Sequence, residues 1–146
     1  MIRMLRIVSN VRFRSLRSLV DLTKETVSSK LNTAAIVIDV RNFSEVDHGT
    51  IDAKNWIHIP LGEVGDALAL DSQDFEEQFE KPKPEVNAEL IIYCMKGRRS
   101  HMAGVQFENH GYSNVANYVG GWWDWNNDWN KTQWIGTVDQ ISLLAP

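Results

Sequence analysis

Short strand-like runs separated by helix-like segments constrain the fold of this chain more than any other feature of its sequence. The runs AAIVIDV (34–40) and ELIIYC (89–94) are apolar apart from Asp39 and Glu89, which is typical of strands buried on both faces of a parallel sheet. Two further strands are predicted over WIHIPL (56–61), which Pro60 ends, and over NVANYV (114–119).

Two segments are predicted to be helices, one before the first of these runs and one between the last two. LTKETVSSKL (22–31) has Thr23 as a possible N-cap, because a threonine side chain can accept a hydrogen bond from a first-turn N–H group. In SHMAGVQFENHG (100–111), Ser100 is predicted to cap the start, and Gly111 suits the end.

The stretch 62–80 is acidic and helix-like in parts, so it is predicted to be a solvated helical flank. Strands that alternate with helices predict an α/β domain, with a central parallel β-sheet flanked by helices on both faces. A length of 146 residues suits one such domain. Ligands of these sheets bind beyond the carboxyl ends of the strands, so residues just after a strand are the candidates for function.

Charge divides the chain into a basic beginning and an acidic body. Residues 1–20 contain five arginines and no acid, whereas the remainder holds ten cations and nineteen acids. An acidic body argues against a nucleic-acid-binding domain, and no apolar run approaches the roughly 18 residues of a membrane span. The arginine-rich, acid-free beginning is typical of a mitochondrial transit peptide; without import, the protein would be cytoplasmic.

The predicted organisation is therefore a leader, residues 1–20, then one domain over 21–131, and a C-terminal tail over 132–146.

Cys94, the single cysteine of the chain, ends a predicted buried strand and begins the loop CMKGRRS. A lone cysteine is usually a buried, inert hydrophobic residue. Here the three cations Lys96, Arg98 and Arg99, together with the N-terminus of the next helix, favour the thiolate, which is the nucleophilic form. Gly97 can adopt a positive φ angle, which would turn successive backbone N–H groups inward as a nest for an anion.

Two kinds of chemistry use a loop of this type. Cysteine phosphatases need a Cys-x5-Arg loop whose amides encircle a phosphate, but here Arg99 follows Cys94 by five positions and Ser100 stands where the phosphatase arginine would be. The shorter loop favours transfer of a single sulfur held as a persulfide. A phosphatase stays as the disfavoured alternative.

Three motifs in order resemble those of the rhodanese family of sulfurtransferases, over about residues 20–130. CMKGRRS matches its active loop, Cys-x-x-Gly-x-Arg-Ser, and GYSNVANYVGGWWDW (111–125) matches its closing motif. The first family motif lies in DVRNFSEVDHGTI (39–51), where it is supplied by Asp39, Arg41, Glu45, Gly49 and Ile51. Among members, the chain is most similar to single-domain thiosulfate sulfurtransferases, including those that pass sulfur to glutathione.

The resemblance implies a double-displacement cycle. The thiolate of Cys94 would take the outer sulfur of thiosulfate, or of another sulfane-sulfur donor, and sulfite would leave. Glutathione, cyanide or a protein thiol would then accept the sulfur from the persulfide. No metal ion and no organic cofactor is expected.

The resemblance also assigns roles around Cys94. The backbone amides of the loop would stabilise the persulfide, and its cations would bind the sulfonate end of thiosulfate. The predicted substrate-binding residues are Met95, Lys96, Gly97, Arg98, Arg99 and Ser100. Asp39 and Arg41 are interpreted as structural support, through a buried network at the end of the first predicted strand.

The sequence leaves a second function open, in which the protein is a sulfur-relay or protein-interaction module with little thiosulfate turnover. Its partner would meet the acidic surface and the tryptophan-rich segment 122–134, which holds five of the six tryptophans. The alternative for this segment is packing against the sheet and covering of the rim of the loop.

Overall fold

A computed structural model describes residues 19–127 of the chain. Within this range five strands form one sheet in the order β1-β5-β4-β2-β3, and every neighbouring pair is parallel. In chain order the strands are β1 (Val20–Leu22), β2 (Ile36–Asp39), β3 (Trp56–His58), β4 (Leu90–Tyr93) and β5 (Val115–Tyr118).

Helices connect these strands, as parallel neighbours require. In chain order they are α1 (Lys24–Lys30), α2 (Phe43–Val46), α3 (Val64–Ala69), α4 (Ser72–Phe79), α5 (Arg98–Asn109) and α6 (Gly121–Asn126), with a 3₁₀ turn at Leu61–Glu63 before α3. The predicted cap at Thr23 is confirmed, since its side chain accepts from the N–H of Thr26. Gly111 follows α5 with a φ of 103°, the conformation that suits a helix end.

Both faces of the sheet are covered, which confirms the predicted α/β architecture. Leu90 and Ile92 of β4 lie in a core with side chains of α3, α4 and α5, on what we call the α5 face. Ile91 and Tyr93 lie in a second core with Val27 of α1, on what we call the α1 face. Burial on both faces explains why this strand shows no polar alternation.

The edge strand β1 was not predicted. It has only three residues and pairs with β5, and a run this short carries too little pattern to be recognised in the sequence. Leu19 and Val20, at the end of the predicted leader, therefore precede and begin the sheet, while the rest of the leader lies outside the described residues.

The prediction of a solvated flank over 62–80 was wrong in part. Val64 and Leu68 of α3 and Phe75 of α4 are buried in the core of the α5 face, whereas the acidic side chains lie on the exposed sides of these helices. The many acidic residues of this stretch made the few buried apolar positions hard to recognise in the sequence. The strand predicted over 56–61 is also shorter, and ends at His58.

A buried ion pair holds the loop that follows β2. The side chains of Asp39 and Arg41 are both fully buried, and the guanidinium Nη2 donates to Asp39 Oδ2 at 2.7 Å. The same guanidinium also donates to the carbonyl oxygens of Glu45 and Gly49. The hydroxyl of Tyr93 donates to Asp39 Oδ2 at 2.7 Å. The segment from α2 to β3 is thus fastened to the ends of β2 and β4.

The hydroxyl of Tyr93 is expected to contribute more to stability than a single hydrogen bond would. It accepts from the N–H groups of Ile51 and Trp56 and donates to Asp39. The substitution Tyr93→Phe leaves the N–H groups of Ile51 and Trp56 without this acceptor and removes one donor from Asp39, which keeps Arg41. We therefore expect a loss of about 2 to 3 kcal/mol in the free energy of unfolding. Urea denaturation measures it.

The matched control is Tyr112→Phe. Tyr112 is also buried, and within residues 19–127 its hydroxyl has one partner, the carbonyl oxygen of Pro84. Its removal is expected to cost about 1 kcal/mol. Equal losses in the two variants would contradict the assigned importance of the Tyr93 network.

Candidate active site

Cys94 directly follows β4, at the edge of the sheet where the carboxyl ends of the strands meet. Its side chain belongs to the core of the α5 face and is 1% exposed. The Sγ atom receives a hydrogen bond from the N–H of Gly97 at 3.1 Å and lies 3.3 Å from Ser100 Oγ. The predicted position of Cys94, between a strand and the next helix, is confirmed.

Of the loop residues predicted to bind substrate, Gly97 and Ser100 contact this sulfur. Met95 and Arg99 are half-buried, Lys96 and Arg98 are exposed, and Gly97 and Ser100 are buried.

Helix α5 begins earlier than predicted, so the assignment of Ser100 as its cap was wrong. Gly97 occupies the N-cap position with a φ of 87°, and Arg98 is the first helical residue. The left-handed conformation of the glycine turns the chain into the helix at once. Ser100 consequently lies in the first turn of α5, where its hydroxyl faces Cys94 Sγ.

The N-terminus of α5 is directed at the site. A helix provides no intrahelical acceptor for its first N–H groups, and its N-terminus carries a partial positive charge. One of these groups, the N–H of Gly97, is the donor to Cys94 Sγ. The N–H groups of Arg98, Arg99 and Ser100 belong to the same turn. The geometry thus offers backbone donors to a negatively charged sulfur.

Close backbone contacts hold the loop in place. A Cβ atom on Gly97 would lie 2.4 Å from the carbonyl oxygen of Val119, and a Cβ atom on Gly121 would lie 2.5 Å from the carbonyl oxygen of Cys94. The first turn of α6 also donates to the loop, from the N–H of Trp122 to the carbonyl oxygen of Cys94 at 2.8 Å. Only glycine fits these two positions without a shift of the neighbouring backbone.

The three cations of the loop differ in their surroundings. Both terminal nitrogens of Arg99 bind the carboxylate of Glu45, at 2.6 and 2.8 Å. Lys96 is exposed and places its ammonium 5.6 Å from the ring centroid of Trp123. Arg98 is exposed and makes no ion pair within residues 19–127. The cations open to an anionic ligand are therefore Lys96 and Arg98, while Arg99 is already paired.

The pair formed by Glu45 and Arg99 shifts both titrations. The hydrogen bonds from Arg99 lower the pKa of Glu45 below its ordinary value, and the bonds to Glu45 raise the pKa of Arg99. Glu45 also accepts from the N–H of Asn42 in a capping box of α2. The carboxylate thereby joins the segment after β2 to the loop around Cys94.

The described tryptophans of the segment 122–134 pack as predicted for a covering element. The ring of Trp122 lies 4.8 Å from the guanidinium carbon of Arg41, and Trp125 packs edge-on against Tyr118. Trp123 is 42% exposed at the rim of the loop. The other tryptophans of the segment lie outside the described residues.

Three contributors to the site were not predicted in these roles, namely the partner of Arg99, the hydroxyl of Ser100 and Asn117. The amide Nδ2 of Asn117 donates to the carbonyl oxygen of Gly97 at 3.1 Å. Glu45 was recognised only as a motif residue, and nothing in its spacing shows that it reaches a loop 54 residues away. Asn117, in the middle of a buried strand, carries a signal that was overlooked, because buried strands rarely contain an amide.

No group of three or more His, Cys, Asp or Glu side chains within residues 19–127 is arranged to hold a metal ion. In the same range, no helix is long and apolar enough to cross a membrane. What the site offers is one thiol, a turn of backbone donors and two exposed cations. This combination suits a nucleophilic sulfur that reacts with an anionic substrate.

The chain is similar to known proteins both in sequence and in structure. A family model described as a rhodanese-like domain matches residues 23–128. The thiosulfate:glutathione sulfurtransferase of Saccharomyces cerevisiae is 36% identical over 118 residues, 81% of this chain and 80% of the relative. The mitochondrial thiosulfate sulfurtransferase RDL2 of the same yeast is 32% identical over 94 residues, 64% of this chain and 62% of the relative.

Among solved structures, the human single-domain sulfurtransferase TSTD1 superposes with a TM-score of 0.69 at 27% identity. The match covers 74% of this chain and 96% of that protein.

The lowered pKa of Glu45 predicts a pH-dependent contribution to stability. A carboxyl group whose folded-state pKa lies below its unfolded value near 4.5 stabilises the fold above that value. The contribution is lost as the pH falls through the folded-state pKa. We expect Glu45→Gln, which keeps an acceptor for Asn42, to cost about 1 kcal/mol or less at neutral pH.

The difference in the free energy of unfolding between the parent and Glu45→Gln should shrink towards zero as the pH falls from 4.5 through the lower folded-state pKa of Glu45. Urea denaturation at a series of pH values measures it. The control Glu77→Gln changes an exposed carboxylate with no ion pair in the described part of the chain, and should show no such trend. A pH-independent difference for Glu45→Gln would contradict the assignment.

Proposed function

The chain belongs to the rhodanese-like family, and from this premise we propose that it is a thiosulfate sulfurtransferase working through a persulfide on Cys94. The acceptor of the sulfur is a thiol, such as glutathione or a protein cysteine, or cyanide. The observation that carries the proposal is the position of Cys94 Sγ at the N-terminus of α5, where the N–H of Gly97 donates to it.

In the first step, the thiolate of Cys94 attacks the outer sulfur of thiosulfate. A new S–S bond forms to Cys94 as the S–S bond of thiosulfate breaks, and sulfite leaves with the electron pair of that bond. Lys96 and Arg98, exposed and without carboxylate partners among residues 19–127, would attract the sulfonate end of the dianion.

In the second step, an acceptor thiolate attacks the outer sulfur of the persulfide. The S–S bond to Cys94 breaks, its electron pair returns to Cys94 as the thiolate, and the acceptor leaves as a persulfide. With cyanide, the product is thiocyanate. The first-turn N–H groups of α5 would stabilise the negative sulfur in both states, as preorganised donors do for a developing charge.

The neighbours of the thiol suit this cycle. Ser100 Oγ lies 3.3 Å from Sγ and would donate its hydroxyl hydrogen to the thiolate. Both terminal nitrogens of Arg99 bind Glu45, so the role of Arg99 is to hold the loop against α2. To contact thiosulfate directly, Arg99 would have to divide its hydrogen bonds between thiosulfate and the carboxylate of Glu45. The names of the yeast relatives, which specify thiosulfate and glutathione, also support the proposed donor and acceptor.

We expect purified protein mixed with thiosulfate to gain the mass of one sulfur atom, and to lose it on addition of cyanide or glutathione. Intact-protein mass spectrometry measures both changes. Because Cys94 is the single cysteine, the control Cys94→Ser should gain nothing.

Other outcomes would overturn the proposed donor or the proposed chemistry. An unchanged mass with thiosulfate, but sulfur uptake from a persulfidated protein, would favour a sulfur-relay module. Hydrolysis of a phosphate ester through a phosphate adduct on Cys94 would instead establish a phosphatase.

We further propose that the protein acts in mitochondria, with the part of the predicted leader that precedes Leu19 as the import signal. The arginine-rich, acid-free composition of this segment and the mitochondrial designation of RDL2 support the proposal. A fluorescent protein fused after the full chain should accumulate in mitochondria, and the same fusion without residues 1–18, which keeps Leu19 in the core and Val20 in β1, should not. A diffuse cytosolic signal from the full-length fusion would contradict import.

A further inference from the structure

Asn117 is a buried polar residue directly behind the loop of Cys94. It lies on β5, opposite Ile92 in the register of the sheet, and is 2% exposed. Two positions before it, Val115 faces the core of the α5 face, so the alternation along the strand directs Asn117 to the same face. Its Nδ2 donates to the carbonyl oxygen of Gly97 at 3.1 Å.

Half of this side-chain amide has no partner. Asn117 Oδ1 is buried and accepts no hydrogen bond within the described residues. The amide is not reversed, because the carbonyl oxygen of Gly97 can only accept and needs the NH₂ group. A buried acceptor without a donor destabilises the folded state, and an apolar side chain of similar size would avoid this cost. The benefit of an asparagine here must therefore lie in its single hydrogen bond to the loop.

That hydrogen bond holds the peptide unit between Gly97 and Arg98. The N–H groups of the first turn of α5, which we call the donor turn, depend on the orientation of this peptide. The carbonyl oxygen of Gly97 also accepts from the N–H of His101 at 3.2 Å. In a planar trans peptide the C=O and N–H groups point in opposite directions. Fixing the carbonyl of Gly97 towards Asn117 therefore fixes the N–H of Arg98 away from it. On the other side of Gly97, its own N–H donates to Cys94 Sγ.

A glycine cannot hold this arrangement alone. It has no side chain to pack, and it is the residue with the greatest backbone freedom. Its φ of 87° and its contact with the carbonyl oxygen of Val119 limit which residue fits, and within the described residues the N–H of His101 is the other donor that holds the carbonyl of the following peptide. Asn117 supplies a directional contact from the rigid sheet.

We propose that Asn117 is a positioning residue for the sulfur chemistry of Cys94. Its amide clamps the Gly97 carbonyl, so that the N–H groups of Gly97 and Arg98 are held in the orientation that stabilises a negative sulfur. This inference rests on the proposed persulfide cycle. It adds a residue that would contact neither the molecule that donates the sulfur nor the molecule that accepts it.

The test separates positioning from stability through the variant Asn117→Leu. The substitution removes the clamp and the unpartnered oxygen together, so we expect an unchanged or higher melting temperature. The rate at which thiosulfate loads sulfur onto Cys94 should fall about tenfold, the effect of one lost hydrogen bond to the donor turn. Rapid-quench mass spectrometry measures the rate. Asn117→Val is a second apolar variant, suited to a strand, should the leucine not fold.

A second readout does not depend on thiosulfate. The rate of Cys94 alkylation by iodoacetamide, followed against pH, should have its midpoint moved upward by about half a unit to one unit in Asn117→Leu. The charged groups around the thiol are Arg99 with its partner Glu45 and the exposed Lys96 and Arg98. The substitution changes none of them, so the movement reports the backbone donors.

The matched control is Val115→Ala, on the same strand and the same face but without a hydrogen bond to the loop. It should lower the melting temperature and leave the loading rate and the alkylation midpoint unchanged. Unchanged loading and midpoint in Asn117→Leu would overturn the proposal. A fall in melting temperature without either change would do the same. If the parent itself took no sulfur from thiosulfate, the proposed donor would fail, and the alkylation profile would still decide the role of Asn117.

Discussion

The fully buried guanidinium of Arg41 is the constraint on which the rest of this structure depends. A buried cation is tolerated only when it is paired and its donors are satisfied. Here Asp39 neutralises it, the carbonyl oxygens of Glu45 and Gly49 accept from it, and its faces meet the rings of Tyr93 and Trp122. The segment after β2 must therefore wrap around this one side chain, and α6 must lie over it.

The elements packed around Arg41 also support the loop of Cys94. The wrapped segment presents Glu45 to Arg99, and α6 donates backbone N–H groups to the carbonyl oxygens of Cys94 and Met95. From the sheet side, Asn117 holds the carbonyl of Gly97. A short loop is thus held from three directions by elements far apart in sequence. Such support keeps donors in place before a substrate arrives, which is what electrostatic stabilisation of a reacting sulfur requires.

The three cations of the loop fall into two groups, one paired with a carboxylate and the other exposed. Arg99 is neutralised by Glu45 and serves the architecture of the loop, whereas Lys96 and Arg98 remain exposed beside the thiol. After residue 20 the chain carries more acids than cations. Exposed cations on an otherwise acidic surface are expected to attract small anions towards the loop. This distribution suits an anionic ligand.

The sequence by itself determined the buried strands, the α/β class and the position of Cys94 between β4 and α5, because these depend on local apolar pattern and on chain direction. It also indicated the turn at Gly97. Only the tertiary structure decided the edge strand β1, the partner of Arg99, the place of Ser100 inside α5 and the contact of Asn117 with the loop. These depend on which strands become neighbours and how segments cross at the sheet edge. Hydrogen bonds between residues that are tens of positions apart leave no periodic trace in a single sequence.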